Sequence, residues 1–150
     1  MNLTIVYGTQ SGNARNLAHV IGESLEAHGF CAPVLDMGEV DPEEILSMKH
    51  VVIVTSTYGD GEPPDNASEW MSFLKFAEEL NLNQLHYAVI GLGDPYYPHF
   101  CQCGKDFDHY LSKWGAHAML NRLDCDLYYE EQYPEWVNEL IEVLKNDLQE

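Results

Sequence analysis

Basic residues are scarce in this chain of 150 residues, in which 7 Lys and Arg stand against 25 Asp and Glu and the formal net charge is -18. So few cations cannot neutralise a nucleic-acid backbone or an anionic membrane surface, and both are poor partners. A partner protein with a basic docking face is favoured instead. The alternative is that the acidity serves only to keep the protein in solution.

The sequence also lacks targeting and linker segments. Its amino terminus enters an apolar strand, NLTIVYG, without a basic n-region, a long apolar stretch or a small-residue cleavage site, so we expect a cytoplasmic protein. No repeat, low-complexity segment or Gly/Ser-rich linker marks a boundary. Residues 1–150 are therefore predicted to form one domain.

Cysteine is sparse, and its spacing fits neither a disulfide framework nor a common zinc motif. The four cysteines are scattered through a chain that can build a core without staples, which favours reduced thiols. His99, Cys101 and Cys103 form an HxCxC pattern near His109, but this pattern lacks zinc-motif spacing and further evident ligands. No metal site is predicted.

Apolar runs alternate with helical periodicity from end to end. Five strands are predicted: LTIVYG (3–8), FCAPVLD (30–36, placed at an edge by its proline), HVVIVTSTYG (50–59), HYAVIGLG (86–93) and HAMLNRLDCD (117–126). Five helices are predicted over about 14–29, 41–48, 66–80 and 101–115 and from about Pro134 to the end, with Asn66 or Ser68 as a cap of the third. This alternation indicates an α/β fold, a doubly wound parallel sheet covered by helices on both faces.

The loops after strands 1, 3 and 4 are rich in Gly, Ser, Thr and Tyr, and such loops converge at one end of a parallel sheet. The first, Thr9 to Ala14, leads directly into a helix, whose free N–H groups can bind an anion without a side-chain cation. It has neither the Lys of a P-loop nor the GxGxxG of a dinucleotide site. A helix cap without ligand would use the same residue types.

The second loop, from Ser56 to Asp65, and the third, from Leu92 to Phe100, each place tyrosine close to glycine and proline. Aromatic side chains on two facing loops, with an anion site between their roots, suit a planar aromatic ligand that carries a phosphate tail. Taken singly, each tyrosine is more often a loop-packing residue.

The motifs TQSGNA, STYGDGEPPDNA and GLGDPYYPHFC resemble the three flavin-binding loops of the flavodoxin family. They are most similar to the FMN domains of sulfite reductase and other diflavin reductases and to the free-standing relatives of those domains. No insertion interrupts the last strand, so the chain resembles the short-chain class. The resemblance covers essentially the whole chain and implies a five-stranded sheet of order 2-1-3-4-5 in a three-layer α/β/α architecture with FMN as cofactor.

The resemblance also implies the site residues. The first loop matches the FMN phosphate site, the tyrosine of the second loop stacks on one flavin face, and Tyr97 or Tyr96 of the third stacks on the other. Asp124 or Asp126 matches an acidic position close to the flavin. The matching loop residues are Thr9, Gln10, Ser11, Gly12, Asn13 and Ala14, then Ser56, Thr57, Tyr58, Gly59, Asp60 and Gly61, and finally Leu92, Gly93, Asp94, Tyr96, Tyr97, Phe100 and Cys101.

The function that this resemblance implies is electron transfer. A flavodoxin-type carrier would shuttle single electrons, between semiquinone and hydroquinone, from an NAD(P)H-dependent flavin reductase to an acceptor protein, and we expect a monomer. Acidic residues near the loops would steer docking onto basic faces of both partners; these are Asp60, Glu62, Asp65, Asp94, Asp124, Asp126, Glu130 and Glu131.

Rival functions differ in what they require of the chain. A receiver domain needs acidic residues at the ends of strands 1 and 3, where VYGTQ and VTSTYG stand, and is set aside. No catalytic residue is predicted, because no nucleophile elbow, acid–base pair or nicotinamide site is evident. An FMN-dependent reductase acting on a small substrate and a cofactor-free binding module remain as alternatives.

Overall fold

The computed structural model describes residues 3–9, 12–57 and 61–148. Its strands are β1 (Leu3–Gly8), β2 (Val34–Asp36), β3 (His50–Ser56), β4 (His86–Leu92), β5 (His117–Ala118) and β6 (Leu123–Cys125). Its α-helices are α1 (Asn13–Ala27), α2 (Ser68–Phe76), α3 (Gln102–Lys113) and α4 (Tyr129–Leu148), and 3-10 helices cover Met37–Glu39, Pro42–Ser47 and Asp65–Ala67.

The sheet is parallel at every pairing and runs in the order β2-β1-β3-β4-β5, with β6 also paired to β4. This confirms the predicted order 2-1-3-4-5 and the edge position of the second strand. Because the order reverses between β1 and β3, the loops that leave these two strands diverge to opposite faces and open a crevice between them.

The fifth strand position differs from the prediction of one strand over 117–126. It is divided into β5, which pairs with His86 and Tyr87 at the start of β4, and β6, which pairs with residues 90–92 at its end. Between them the backbone carbonyl of Asn121 accepts a hydrogen bond from Trp136, and Arg122 forms a salt bridge with Asp108 of α3. These two contacts hold Asn121 and Arg122 away from the sheet.

Three helical predictions also need correction. Helix α4 begins at Tyr129 and contains Pro134, which was predicted to start it. The proline lacks only the hydrogen bond to the carbonyl of Glu130, and both residues are exposed in the first two turns, where this loss is tolerated. The predicted helix over 41–48 is a 3-10 helix, Pro42–Ser47, and the predicted helix over 66–80 is limited to α2.

The core forms two layers because side chains alternate across the central strands. Those of Ile5, Val52 and Ile90 pack with α1 and α4 on one face. Those of Val6, Ile53 and Val89 pack with α2 and α3 on the other. The three-layer architecture is thus confirmed, and no helix among the described residues is long and apolar enough to cross a membrane.

Candidate functional site

Two adjoining cavities lie at the carboxyl end of the sheet. The first, here named the Tyr97 cavity, has a volume of about 240 Å³, and the second, the Ser56 cavity, has a volume of about 210 Å³. Thr57, Gly93 and Asp94 line both, so the two form one continuous cleft. The Tyr97 cavity is completed by Tyr97, His99, Phe100 and Cys101, and the Ser56 cavity by Asn13, Ser56, Leu92, Asp126, Leu127 and Tyr129.

The first loop joins β1 to the amino terminus of α1. Gly12 occupies the N-cap position with φ of 94°, in the left-handed region that glycine adopts without strain, and its N–H donates to the Thr9 hydroxyl at 2.9 Å. Asn13 follows as the first helical residue and lines the Ser56 cavity. The N–H groups of the first turn have no intrahelical acceptors, so this end of α1 attracts an anion. Gln10 and Ser11 lie outside the described residues.

The second loop begins with two hydroxyl side chains that are used differently. The Thr57 hydroxyl accepts the backbone N–H of Cys103 at 3.1 Å and thereby caps α3. The Ser56 hydroxyl oxygen is buried and has no hydrogen-bond partner within residues 3–9, 12–57 and 61–148. A buried hydroxyl without a partner costs free energy, which a ligand in the Ser56 cavity would recover. Tyr58, Gly59 and Asp60 lie outside the described residues.

Gly61 brings the second loop against the third. Its φ is 100°, and a Cβ added there would lie 2.9 Å from the Cβ of His99. Such a distance is shorter than carbon atoms tolerate, so only glycine permits this approach. The two loops are therefore held together at the edge of the cleft.

The third loop turns around Asp94. Its carboxylate accepts the N–H of Tyr96 at 3.0 Å, and its carbonyl accepts the N–H of Tyr97 at 3.1 Å. Tyr97 lines the cleft and is 61% exposed, whereas Tyr96 is 89% exposed and lines neither cavity. The geometry therefore places Tyr97, of the two tyrosines, where it can contact a ligand.

Cys101 closes the floor of the Tyr97 cavity. It is buried at the N-cap of α3 with φ of 53°, and its thiol donates to the carbonyl of Cys125 at 3.4 Å. A Cβ on Gly93 would lie 3.0 Å from the Cys101 nitrogen, so glycine allows the two loops to pack at this point. Burial, followed by the negative charge of Asp124, raises the pKa of Cys101 to about 12. The thiol therefore stays protonated and is not a nucleophile at neutral pH.

The two acidic candidates after the last strand have different surroundings. The Asp124 carboxylate is paired with Arg122 at 2.9 Å, and Arg122 also contacts Asp108 on α3. Asp126 lines the Ser56 cavity, and its carboxylate accepts the N–H of Tyr128 at 2.8 Å. Of the two, Asp126 is the one that faces the cleft.

The remaining predicted residues are also placed by the structure. Ala14 is fully buried in the core beneath the first loop, while Leu92 and Phe100 line the cleft. Cys101 and Cys103 are buried free thiols, and among the described residues no group of three His, Cys, Asp or Glu side chains could hold a metal ion.

Sequence reasoning missed Leu127, in the loop after β6, and Tyr129, the first residue of α4, both of which line the Ser56 cavity. The segment after β6 lacks the glycine, serine and threonine that marked the other three loops. The convergence rule that selected the loops after strands 1, 3 and 4 applies equally to the loop after the fifth strand, and this signal could have identified them.

Comparison with known proteins agrees with this geometry. The sequence model of the family described as Flavodoxin matches residues 5–136. The chain belongs to the flavodoxin family. Its solved relatives include the flavodoxin of Streptococcus pneumonia TIGR4, with a TM-score of 0.85 and 31% identity over 97% of this chain and 98% of that one. Flavodoxins are electron-transfer proteins rather than enzymes, and membership implies a flavin cofactor.

Curated relatives of this flavodoxin-family chain are larger proteins. It is 40% identical over 146 residues to the sulfite reductase [NADPH] flavoprotein alpha-component of Vibrio vulnificus (strain CMCP6), covering 97% of this chain and 24% of the relative. The corresponding protein of Bacillus subtilis (strain 168) is 40% identical over 142 residues, covering 95% of this chain and 24% of the relative. The chain thus spans about a quarter of the length of these curated relatives.

Proposed function

We propose that this chain binds FMN in the cleft and carries single electrons between redox proteins. The observation that carries the proposal is the buried Ser56 hydroxyl, which has no partner in the described part of the chain and belongs to a residue that lines the Ser56 cavity together with Asn13 at the amino terminus of α1. A ligand with acceptor groups and a phosphate supplies what both features lack.

The phosphate is assigned to the first loop. The Thr9 hydroxyl, the Asn13 side chain and the first-turn N–H groups of α1 would hold it, together with Gln10 and Ser11 from the sequence match. These are neutral donors, so the scarcity of cations in this chain does not oppose phosphate binding.

The flavin ring is assigned to the cleft between the second and third loops. Tyr97 supplies one aromatic face, and Tyr58 is assigned the other from its sequence position. Thr57, Gly93 and Cys101 form part of the wall of the Tyr97 cavity. FMN, when bound, supplies the one-electron chemistry, while the chain sets its affinity, its potential and its access to partners.

The rim of the cleft is suited to docking a partner protein. Four large apolar side chains there are 61% to 89% exposed, namely Tyr96, Tyr97, Leu127 and Tyr128. The exposed carboxylates Glu130 and Glu131 follow them at the start of α4. An apolar centre beside acidic groups fits a partner with a basic face, because opposite charges accelerate encounter.

The donor and acceptor are proposed by chemistry. Since the curated relatives are components of NADPH sulfite reductase, an NAD(P)H-dependent flavin reductase is the proposed donor, and a redox protein with a basic docking face is the proposed acceptor. The chain would act as a monomeric FMN domain. Added salt should slow transfer from such a reductase, because surface charges are screened beyond about 10 Å at 0.1 M ionic strength.

The decisive experiment is a binding and reduction series on the purified chain. Absorbance after addition of FMN and removal of the excess should show bound flavin, and stepwise anaerobic reduction should pass through a separate stage at one electron per flavin. Rapid NADPH oxidation by the chain alone would instead favour a reductase with its own substrate. A folded sample that retains no FMN would overturn the proposal.

A further inference from the structure

A continuous chain of hydrogen bonds connects the end of β2, through Asn66, to the first loop. The amide nitrogen of Asn66 donates to the Asp36 carboxylate at 2.9 Å, and the Asn66 amide oxygen accepts the Thr9 backbone N–H at 2.9 Å. The Thr9 hydroxyl in turn accepts the N–H of Gly12 at 2.9 Å. The Asn66 side chain, just after the second loop, thus connects the end of β2 to the first loop.

The position of Asn66 is fixed by close packing on both sides. It lies in the 3-10 helix Asp65–Ala67, which is wedged between the end of β1 and the turn that follows β2. A Cβ on Gly8 would lie 2.6 Å from the Cβ of Ala67, and a Cβ on Gly38 would lie 3.2 Å from the Cβ of Asn66. Gly8 and Gly38 have no side chains, and this lets the 3-10 helix Asp65–Ala67 reach the first loop.

The chemistry of its partners fixes which way the amide of Asn66 faces. The backbone nitrogen of Thr9 can only donate, so it requires the amide oxygen, and the carboxylate of Asp36 accepts, so it requires the amide nitrogen. Asp36 also accepts the N–H of Gly38 at 2.7 Å, which holds the carboxylate in place. An aspartate in place of Asn66 would lack the donor, and an aliphatic side chain would lack both groups.

We propose that Asn66 is a positioning residue that holds the first loop in the conformation that receives the ligand's phosphate. It touches the loop backbone and no reacting atom. The inference rests on the proposed function, because it assigns the phosphate to the first loop. Asn66 thereby determines selectivity for a phosphorylated flavin over the same ring without phosphate, rather than affinity for the ring.

The test compares FMN with riboflavin, which has the same ring and no phosphate. In Asn66→Ala, FMN affinity should fall about tenfold, the scale of one or two hydrogen bonds, while riboflavin affinity stays unchanged. In the chain without flavin, the Thr9 amide should exchange with deuterium about tenfold faster, because its acceptor is gone.

The matched control is Asn81→Ala. The Asn81 side chain also accepts a backbone N–H, that of Asn83 at 3.0 Å, but it lies before β4, at the opposite end of the sheet from the cleft. This variant should leave both flavin affinities and Thr9 exchange unchanged.

The outcomes separate this inference from the proposed function. Wild-type protein that binds no FMN would overturn the proposed function. Wild-type protein that binds FMN, with an Asn66→Ala variant whose FMN and riboflavin affinities fall equally or not at all, would overturn the role of Asn66 alone.

Discussion

The charge of Asp126 should make bound FMN a stronger reductant. Asp126 lines the Ser56 cavity, its carboxylate accepts the N–H of Tyr128, and its backbone N–H donates to the Gln132 side chain. Asp126→Asn keeps the side-chain volume and an oxygen that can accept the Tyr128 N–H. The substitution therefore removes one negative charge with little change in structure.

The size of the effect follows from the cavity. A volume of about 210 Å³ corresponds to a width of roughly 7 Å, so a charge on the wall of the Ser56 cavity lies about 8 to 10 Å from the centre of a ring held in the adjoining Tyr97 cavity. At an effective dielectric of about 40, two unit charges at this separation repel by about 1 kcal/mol. For one electron this is about 40 mV, and FMN gains its negative ring charge on the second electron.

The assay is anaerobic spectroelectrochemical titration of the FMN-loaded protein. We expect Asp126→Asn to raise the second, more negative one-electron potential by about 40 mV and to leave the first less affected. Asp147→Asn is the matched control, because Asp147 lies near His50 at the start of β3, the opposite end of the strand from Ser56. That separation is beyond the screening length of about 10 Å at 0.1 M salt, so its shift should stay under about 10 mV.

Equal shifts in the two variants would mean that net charge, rather than the placement of Asp126 at the cleft, sets the potential. A shift under about 10 mV in Asp126→Asn, or a negative one, would refute the assignment of the flavin ring to the cleft beside Asp126.

Four further results are expected. Gly93→Ala should lower the free energy of unfolding by about 1 to 3 kcal/mol in urea titrations, because its Cβ would lie 3.0 Å from a backbone nitrogen, whereas Gly91→Ala, with no heavy atom nearer than 3.6 Å, should cost less. Tyr97→Ala should weaken FMN binding roughly tenfold by fluorescence titration and Tyr96→Ala should not, since only the former side chain lines the cleft; equal losses would contradict this. Cys31 is exposed and should be the one thiol that reacts rapidly with a thiol reagent at pH 8, because burial raises the pKa of the other three to about 12. For the same reason, the contribution of these three buried thiols to the free energy of unfolding should be complete below about pH 9 and fall above it.

Much of the fold could be predicted from local patterns in the sequence. The spacing of Ala14, Leu17 and Ile21 predicted the buried face of α1, and all three are buried. Such patterns succeed because a helix or strand repeats its geometry at a fixed period. They fail where a contact distant in sequence dominates, as with Arg122, whose salt bridge to Asp108 helps to divide the fifth strand position.

The sequence alone determined the alternation of strands and helices, the family resemblance and the three loops predicted to form the cleft. Each of these features depends on residues that are close together along the chain. Only the tertiary structure shows that Asp126, and not Asp124, lines the cleft. Strand alternation would place both on one face, but β6 ends at Cys125, so the loop's own hydrogen bonds direct Asp126 to the cavity. Asn66 likewise meets Thr9 and Asp36 across 57 and 30 residues of sequence, and no local pattern encodes contacts at such separations.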